Sequence, residues 1–392
     1  MTTTLKRRPR LRTLRIGLLG YGTVGEAVHR LLRRRRRELA ALGLQLEPVA
    51  ALARRPRGLA SNDVTAFLDG DYDVVVEALG GVEPAFVYVR HFLRRGVPVV
   101  TANKALLAER GEELAREGAP LLGEASVGAG IPLLRTLDRA LHTTRVERVT
   151  AILNGTSNFV VSRLQRHGES LGAAVEVAQR AGFAEADPSL DLNGTDAAQK
   201  LSLLLARLGI GLSLESIERE GLRCLRPADC RRAAALGYRI KPVAWSDGRS
   251  GFVAPALLSA QHPLASVDDE QNAVLIEGDP IGSLCFRGPG AGGAPTAASI
   301  VDDLVAIARG EAESWPIPPA PVSSRAPRTR WFVTLQFTAV AEEALQLLQP
   351  IELRRLPDEA LPTYALITPN EPDTSTLRTF RALQEVRAFR VL

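Results

Sequence analysis

Residues 182–200 concentrate acidic side chains ahead of a single lysine, Lys200. Four carboxylates precede it, namely Glu185, Asp187, Asp191 and Asp196. Asp196 and Lys200 are four residues apart, a spacing that places both on one face of a helix, one turn apart. An exposed pair of this kind contributes only about 0.3–0.5 kcal/mol. The leucines after Lys200 predict a largely buried helix, so this polar face should line a cleft.

A glycine-rich turn near the N-terminus has the spacing of a dinucleotide-binding loop and reads Gly20-Tyr21-Gly22-Thr23-Val24-Gly25. Gly20 permits a tight turn, Gly22 lets the backbone approach a pyrophosphate, and Gly25 allows the next helix to pack closely. Such a motif is weak evidence alone, because an ordinary turn can share it. Here it follows a predicted strand at 14–19 and opens a predicted helix at 26–37, which is the context that supports dinucleotide binding.

The type of dinucleotide depends on the tip of the second predicted strand, residues 46–53. An acidic side chain there would bind a ribose 2′-hydroxyl, whereas arginine accommodates a 2′-phosphate. This chain has Arg54 and Arg55, which favours NADP over NAD. The alternative is that both arginines simply face solvent in an arginine-rich protein, and NAD then stays open as the cofactor.

Strands and helices must alternate to position these residues. Further strands are predicted at 74–78, 97–100 and 121–124, with helices at 84–95 and 105–117, a pattern typical of a Rossmann-type doubly wound parallel sheet. Gly80 and Lys104 follow two of these strands and belong at the carboxyl edge, where α/β folds bind ligands. Lys104 is therefore a candidate to meet a nicotinamide and a substrate, although a lysine after a strand is more often a surface charge.

The remaining chain predicts an α/β protein of several parts. We expect a basic extension at 1–13, a dinucleotide-binding domain at 14–135 and a mixed α+β substrate and dimerisation domain at 136–310. Residues 296–310 are a candidate to pack back on the first domain. A proline-rich linker at 311–329 leads to a small α+β module at 330–392, with strands at 330–337 and 364–368 and helices at 342–348 and 375–385.

Composition narrows the class of protein. Apolar residues make up 45% of 392 residues, in runs well short of the ~18–20 residues that cross a bilayer. No secretory apolar segment follows the N-terminus, so we expect a soluble, cytoplasmic protein without a membrane partner. The net charge is +5, and arginines at 33–37 contribute to it. They lie at the end of a predicted helix, where cations complement the negative end of the helix dipole. We prefer this interpretation to a nucleic-acid surface, because no aromatic residues interleave the arginines. The three cysteines lack metal-ligand spacing.

Taken together, the motifs resemble those of homoserine dehydrogenases. The matching segments are GLLGYGTVG (17–25), VVEALGG (75–81), TANKA (101–105), EASVGAGIP (124–132), LNGTSN (153–158), residues 182–200, GPGAG (288–292) and PT (295–296). They follow the family's order and cover roughly residues 14–310.

The resemblance implies reversible, nicotinamide-dependent reduction of L-aspartate 4-semialdehyde to L-homoserine, in the branch that leads to threonine and methionine. It makes Lys200 the proton donor and Lys104 a second lysine that faces substrate and cofactor. It also implies a set of binding residues: Glu185, Asp196, Asp191, Gly155 and Thr156 for the substrate, with Asp191 in an orienting role, and Gly80 and Gly292 for the cofactor.

Two further properties follow from the resemblance. Residues 124–131 are similar to the family's monovalent-cation loop, in which Glu124, Val127, Ala129 and Ile131 would bind sodium mainly through backbone oxygens. Sequence does not separate such a loop from a tight glycine-rich turn. The family also implies a homodimer or homotetramer.

The C-terminal module is similar to the ACT domain of longer family members, which binds a regulatory amino acid. The Asp-x-x-Gly turn expected after its first strand is missing, because residues 338–343 read TAVAEE. We therefore expect a degenerate ACT-like domain used for assembly rather than threonine feedback. Two other functions stay open: a Rossmann oxidoreductase for a different amino-acid semialdehyde, and a non-catalytic cofactor-binding regulator. Residues 182–200 and the presence of Lys104 and Lys200 argue against them.

Overall fold

The structure is a computed structural model that describes residues 11–317, 329–336, 350–356, 363–368 and 386–392. The chain divides into two units. The first unit comprises Met1–His142, Ser202–Gly211 and Gly288–Ala320, and the second comprises Thr143–Leu201, Leu212–Arg287 and Pro321–Leu392.

The strands of the described residues are, in chain order, β1 (Arg12–Leu19), β2 (Leu44–Leu52), β3 (Ala60–Ser61), β4 (Val74–Glu77), β5 (Val99–Thr101), β6 (Leu121–Leu122), β7 (Arg145–Ile152), β8 (Ile217–Arg219), β9 (Tyr238–Ser246), β10 (Gly251–Ser259), β11 (Gln271–Asp279), β12 (Gly282–Pro289), β13 (Arg330–Gln336), β14 (Glu352–Leu356), β15 (Thr363–Ile367) and β16 (Val386–Val391). The helices are α1 (Thr23–Arg34), α2 (Arg36–Ala41), α3 (Val64–Leu68), α4 (Ala85–Arg94), α5 (Lys104–Ala115), α6 (Leu134–Ala140), α7 (Gly155–His167), α8 (Leu171–Arg180), α9 (Ser189–Leu192), α10 (Thr195–Arg207), α11 (Pro227–Ala235) and α12 (Gly293–Arg309).

The first unit is built on a parallel sheet with the strand order β3-β2-β1-β4-β5-β6. Strands β4 and β5 are buried along their whole length, which is typical of a parallel sheet covered by helices on both faces. The predicted doubly wound sheet is confirmed. The chain adds strands in one direction from β1 to β3 and in the other direction from β4 to β6, so the order of strands reverses between β1 and β4. Ligands bind at the carboxyl ends of strands at such a point.

Helix α12 belongs to the first unit although it lies late in the sequence. It packs against α1, and both helices contribute to one apolar core that includes Val28, Leu32, Ile300 and Leu304. The N-terminus of α12 is therefore fixed beside the N-terminus of α1.

The second unit contains a mixed sheet in the order β12-β11-β7-β9-β10-β16-β13-β15-β14, with β8 pairing to β10. Helices α7, α8 and α11 cover one face through a core that includes Val160, Ala174, Ala233 and Ile240. The other face has its own core around Val243, Phe252, Ala273 and Leu275.

The C-terminal strands differ from the expected separate module. The strands predicted at 330–337 and 364–368 are present as β13 and β15. However, β16 pairs in parallel with β10, so the described C-terminal strands continue the sheet of the second unit. The packing of Phe332 and Phe389 into the core under α7 explains why. The helices predicted at 342–348 and 375–385 lie outside the described residues.

Short polar side chains set the starts of several helices by accepting a hydrogen bond from a first-turn amide. Asp63, Asn103, Asn154 and Ser170 begin α3, α5, α7 and α8 in this way. Glu124, which we expected to end the strand at 121–124, instead begins a short 3-10 helix, Glu124–Ser126. Among the described residues, the structure has no helix of the length and apolarity needed to span a membrane.

Candidate active site

The glycine turn of the first unit gives its three glycines different surroundings. Gly20 has a φ of +112°, and a Cβ atom there would lie 2.6 Å from the carbonyl oxygen of Ala78. A Cβ atom at Gly25 would lie 2.1 Å from the carbonyl oxygen of Gly20, so α1 packs directly on the turn. At Gly22, no atom lies within 4 Å of an added Cβ. The turn is therefore open at Gly22, where a pyrophosphate would approach.

Two helices begin side by side at this turn. The N-caps of α1 and α12 are Gly22 and Gly292, which have no side chains to satisfy the first amides. A Cβ atom at Gly293 would lie 3.1 Å from Cγ2 of Thr23, so the two N-termini are neighbours. Helix N-termini carry unpaired N–H groups and partial positive charge. This corner therefore suits the phosphates of a dinucleotide.

The arginines after β2 are not equivalent. Arg54 and Arg55 are exposed, whereas Arg57 donates a hydrogen bond to the carbonyl oxygen of Tyr21 at 3.1 Å. The Arg57 guanidinium also pairs with Glu26 and lies 5.6 Å from the centre of the Tyr21 ring. The sequence does not single out Arg57, although it belongs to the same arginine-rich stretch.

Lys104 is the first residue of α5, directly after the carboxyl end of β5. Its backbone position is fixed by Asn103, whose Oδ1 accepts a hydrogen bond from the Leu106 amide at 3.1 Å. On the neighbouring strand end, Gly80 and Gly81 have φ angles of +79° and +73°. Lys104 and the Gly80–Gly81 turn thus occupy adjacent strand ends at the ligand-binding edge of the sheet.

In the second unit, Lys200 is held by two oxygen atoms. Its Nζ lies 2.8 Å from Asp196 Oδ2 and donates a hydrogen bond of 2.8 Å to the carbonyl oxygen of Leu153. The Lys200 and Asp196 side chains are only 12% and 8% exposed. The predicted pairing on one helical face is present, and burial makes it a fixed arrangement rather than a surface ion pair.

Asn154 joins the carboxylates of this cluster. Its Nδ2 donates hydrogen bonds to Asp191 Oδ1 at 2.7 Å and to Asp196 Oδ2 at 2.8 Å. Its Oδ1 accepts from the Ser157 amide at 2.7 Å and so caps α7. Burial raises the pKa of Asp191, and the hydrogen bond from Asn154 opposes this only in part. Asn154 belongs to the motif at 153–158, but its sequence position alone indicates no role.

The other predicted substrate residues of the second unit differ in setting. Thr156 donates a hydrogen bond from Oγ1 to the carbonyl oxygen of Phe183 at 2.6 Å, which connects α7 to the acidic segment. A Cβ atom at Gly155 would lie 2.7 Å from the carbonyl oxygen of Glu270, so only glycine fits there without displacing backbone. Glu185 has an exposed side chain. It is therefore open to solvent, unlike the side chains of Asp191, Asp196 and Lys200.

In the loop after β6, the Glu124 carboxylate caps α6. Its oxygens accept hydrogen bonds from the amides of Leu134 at 2.9 Å and Arg135 at 2.7 Å. Burial raises the pKa of Glu124, and these amides oppose the effect. Ala129 has a φ of +46°, and its carbonyl oxygen accepts a hydrogen bond from Ser299. In the described parts of the chain, no group of three or more His, Cys, Asp or Glu side chains could hold a metal ion.

The parallel sheet with its open glycine turn, and the largely buried lysine held by a carboxylate and a backbone carbonyl, define a nicotinamide-dependent dehydrogenase. Family models agree in both parts: the homoserine dehydrogenase NAD-binding domain matches residues 20–119, and the homoserine dehydrogenase model matches residues 132–305. The chain belongs to the homoserine dehydrogenase family.

Individual relatives support the same assignment. The Synechocystis homoserine dehydrogenase is 37% identical over 318 residues, which cover 75% of this chain and 73% of the relative. The crystal structure of a Thiobacillus denitrificans homoserine dehydrogenase superposes with a TM-score of 0.89 at 30% identity, covering 98% of this chain and 99% of that one. A hyperthermophilic archaeal homoserine dehydrogenase in complex with NADPH has a TM-score of 0.64 at 25% identity, covering 78% and 100%.

Proposed function

We propose that this chain carries out the reaction of its family with Lys200 as the proton donor. The reaction is the reversible, NAD(P)-dependent reduction of L-aspartate 4-semialdehyde to L-homoserine. The observation that carries the assignment of Lys200 is the buried arrangement of its Nζ, 2.8 Å from both Asp196 Oδ2 and the Leu153 carbonyl oxygen. These oxygens fix the direction of the ammonium group.

Reduction of an aldehyde needs a hydride and a proton, and the bound dinucleotide supplies the hydride. Lys200 donates the proton to the oxygen that becomes the alcohol, and it takes the proton back in the reverse direction. Lys104 supplies a second positive charge that stabilises negative charge on that oxygen. Asp196 holds Lys200 and a polar end of the substrate, and Glu185 binds the substrate ammonium.

The remaining polar residues orient this set. Asp191 and Asn154 hold the Asp196 carboxylate through one shared amide group. The backbone at Gly155 and Thr156 completes the substrate pocket. We assign these residues to positioning rather than to proton transfer.

Replacement of Lys200 tests the assignment. Lys200→Ala should lower kcat by about 10²–10⁴-fold, the range for loss of a general acid, while the dissociation constant for NADP stays unchanged. Asp187→Ala removes an exposed carboxylate of the same segment and serves as the matched control with normal turnover. A Lys200→Ala enzyme with near-normal kcat would contradict the proposed role.

We also propose that NADP is preferred over NAD. Arg54 and Arg55 at the end of β2 support this preference, because they offer positive charge for a 2′-phosphate. The archaeal relative solved with NADPH is consistent with it. The test is kcat/KM for the two cofactors in the unmodified enzyme and in Arg54→Ala/Arg55→Ala. A higher kcat/KM for NAD in the unmodified enzyme would refute the preference.

We further propose a monovalent cation, sodium, at the loop of residues 124–131. Backbone oxygens of Glu124, Val127, Ala129 and Ile131 would bind it, because carbonyl oxygen suits a hard cation. The left-handed turn at Gly128 and Ala129 supports the proposal, as it curves the backbone of the loop. Sodium should raise the thermal unfolding midpoint above that in choline chloride of equal ionic strength. Equal midpoints would exclude the site.

We propose a homodimer or homotetramer in the cytoplasm, and a C-terminal segment that does not mediate threonine feedback. Sedimentation of the purified protein tests the oligomeric state. Homoserine oxidation measured with rising threonine tests the absence of feedback, and a steep loss of activity at millimolar threonine would contradict it.

A further inference from the structure

Glu77 is a fully buried carboxylate at the carboxyl end of β4. One oxygen accepts a hydrogen bond from the Leu79 amide at 2.7 Å, and the other accepts from the Thr101 hydroxyl on β5. Burial raises the pKa of Glu77, and the hydrogen bonds from Thr101 and Leu79 oppose the effect. Among the described residues, no lysine, arginine or histidine forms an ion pair with it. A buried acid without a cation is costly, so its presence at this edge of the sheet calls for a role.

Asn103 links this carboxylate to two parts of the cofactor-binding edge. Its Nδ2 lies 3.4 Å from Glu77 Oε1 and donates a hydrogen bond of 2.6 Å to the carbonyl oxygen of Gly81. Its own amide donates to the Thr101 hydroxyl at 2.9 Å. Its Oδ1 caps α5, which starts at Lys104. One side chain therefore holds the Gly81 backbone and the first turn of α5 together.

The turn at Gly80 and Gly81 needs such support. Both glycines have positive φ angles and no atom lies close to an added Cβ at Gly80, so side-chain packing does not fix this backbone. Hydrogen bonds to the backbone are then the available restraint. Leu79 and Gly81, on either side of Gly80, are both held by the network of Glu77 and Asn103.

We propose that Glu77 is a positioning residue that, through Thr101 and Asn103, holds the Gly80–Gly81 turn and Lys104 as one unit. The inference rests on the role proposed above for Lys104. A displacement of the turn when the cofactor binds would move the Gly81 carbonyl and, through Asn103, the start of α5. Cofactor binding and lysine placement would thus be coupled.

The test uses two conservative variants. Glu77→Gln keeps the shape and the acceptor for Leu79 but places a donor against the Thr101 hydroxyl. Asn103→Ser keeps a good N-cap for α5 but loses the hydrogen bond to Gly81. Each is measured in the unmodified chain and in Lys104→Ala, with kcat, the KM for homoserine, the NADP dissociation constant and thermal unfolding. The matched control is Glu83→Gln, which replaces an exposed carboxylate in the same loop.

We expect both variants to lower kcat by about 10-fold or more in the unmodified chain, since small misplacement of a reacting group has effects of this size. The KM for homoserine should change by less than about 2-fold, because the substrate-binding carboxylates are untouched. In Lys104→Ala, the same changes should lower kcat by less than about 2-fold, because the group being positioned is gone. The control should match the parent in each background.

Three results would overturn the inference in distinguishable ways. Equal losses of kcat in both backgrounds, with Lys104→Ala itself slow, would mean that Glu77 affects turnover independently of Lys104, and the proposed function would stand. Normal kcat in Lys104→Ala would contradict the role proposed for Lys104, and the coupling would fall with it. Unchanged kcat in both Glu77→Gln and Asn103→Ser would also overturn the coupling.

Discussion

Gly22 and Gly25 lie in the same turn but differ in what a methyl group would meet. Gly22→Ala adds a methyl group to open space at a negative φ, so the free energy of unfolding should change by less than about 0.5 kcal/mol. The NADP dissociation constant should rise at least about tenfold, because the methyl group occupies the space through which the pyrophosphate approaches. Gly25→Ala places its methyl group against the Gly20 carbonyl. It should lower the free energy of unfolding by about 1–3 kcal/mol.

Urea unfolding and fluorescence titration with NADP separate the two effects. If Gly22→Ala bound NADP as tightly as the parent, the pyrophosphate would not approach the turn at Gly22. If Gly25→Ala were as stable as the parent, the close packing of α1 on the turn would be wrong.

A buried charge cluster in the second unit gives a prediction about stability. The Lys241 side chain is fully buried, and its Nζ donates to Asp268 Oδ1 at 2.5 Å and to the Val267 carbonyl oxygen at 2.6 Å. Asp268→Asn removes the charge partner of a buried ammonium and should lower the free energy of unfolding by about 3–5 kcal/mol. Lys241→Met should lower it less, because Asp268 still pairs with Arg239 and Arg166. Urea unfolding checks this order, and the reverse order would contradict it.

The same cluster predicts a pH dependence. Burial alone would raise the pKa of Asp268, but the hydrogen bond and charge of Lys241, with Arg239, hold the pKa at about 2, below the ordinary 3.8. The folded state therefore binds this proton less readily than the unfolded state. The stability that Asp268 contributes is present above pH 3.8 and is lost as the pH falls towards 2. Asp268→Asn should flatten the unfolding free energy across this window, and an unchanged slope would exclude Asp268 as its cause.

At the scale of single residues, sequence predicts the groups that carry chemistry better than the groups that hold them. Lys200 and Asp196 are neighbours on one helix, so their spacing predicts the pair. The hydrogen bond of Asn154 with Asp196 spans 42 positions, and that of Glu77 with Thr101 spans 24. Nothing local to either residue indicates those partners. Their roles depend on how strand ends meet, which only the tertiary structure gives.

Residues 314–315 form a strap across the edge strand β6. The Trp315 amide donates to the Leu121 carbonyl oxygen at 2.6 Å, and Ser314 Oγ accepts from the Leu121 amide at 3.1 Å. Trp315 is 4% exposed. It lies against Gly111 of α5, where an added Cβ would be 3.0 Å from the indole Nε1. The strap thus covers the otherwise open edge of the parallel sheet, which protects unpaired backbone groups.

The strap reverses the usual effect of a helix glycine. Glycine to alanine within a helix normally stabilises by about 0.5–1 kcal/mol. Gly111→Ala should instead destabilise by about 1–3 kcal/mol, because the indole must shift in a packed core. Gly172→Ala in α8, where an added Cβ meets nothing within 4 Å, is the matched control and should stabilise. Thermal unfolding of both variants tests the strap, and a stabilised Gly111→Ala would show that Trp315 does not fill this slot.

At the scale of elements, alternation of apolar runs predicts the parallel sheet because each buried strand and each helix has its own local pattern. The 3-10 helix at residues 124–126 was missed, since it depends on Glu124 capping α6 ten residues later. The placement of α12 on α1 also depends on packing between distant segments. Sequence offered it only as a candidate.

At the scale of the whole molecule, the described C-terminal strands are part of the sheet of the second unit rather than a separate module attached to it. Phe332, Ile367 and Phe389 lie in the same core as Val160 of α7 and Leu257 of β10. The Leu392 amide donates to the Leu257 carbonyl oxygen at 3.0 Å. Similarity to an appended regulatory module predicted two of these strands, but not their sheet partners. Strand pairing across more than 100 residues leaves no local trace in the sequence.

Removal of residues 329–392 should therefore abolish the fold of the second unit and, with it, homoserine oxidation. Phe389→Ala tests the same packing with a single substitution. It should lower the free energy of unfolding by about 3–5 kcal/mol, the range for a large cavity in a core. Leu353→Ala, at a side chain that is 50% exposed on β14, is the matched control and should change stability by less than about 0.5 kcal/mol. The measurements are urea unfolding and turnover of the truncated and full chains. A truncated chain that unfolds cooperatively and keeps full turnover would show instead that the C-terminal strands form a separate module, because its core would not need them.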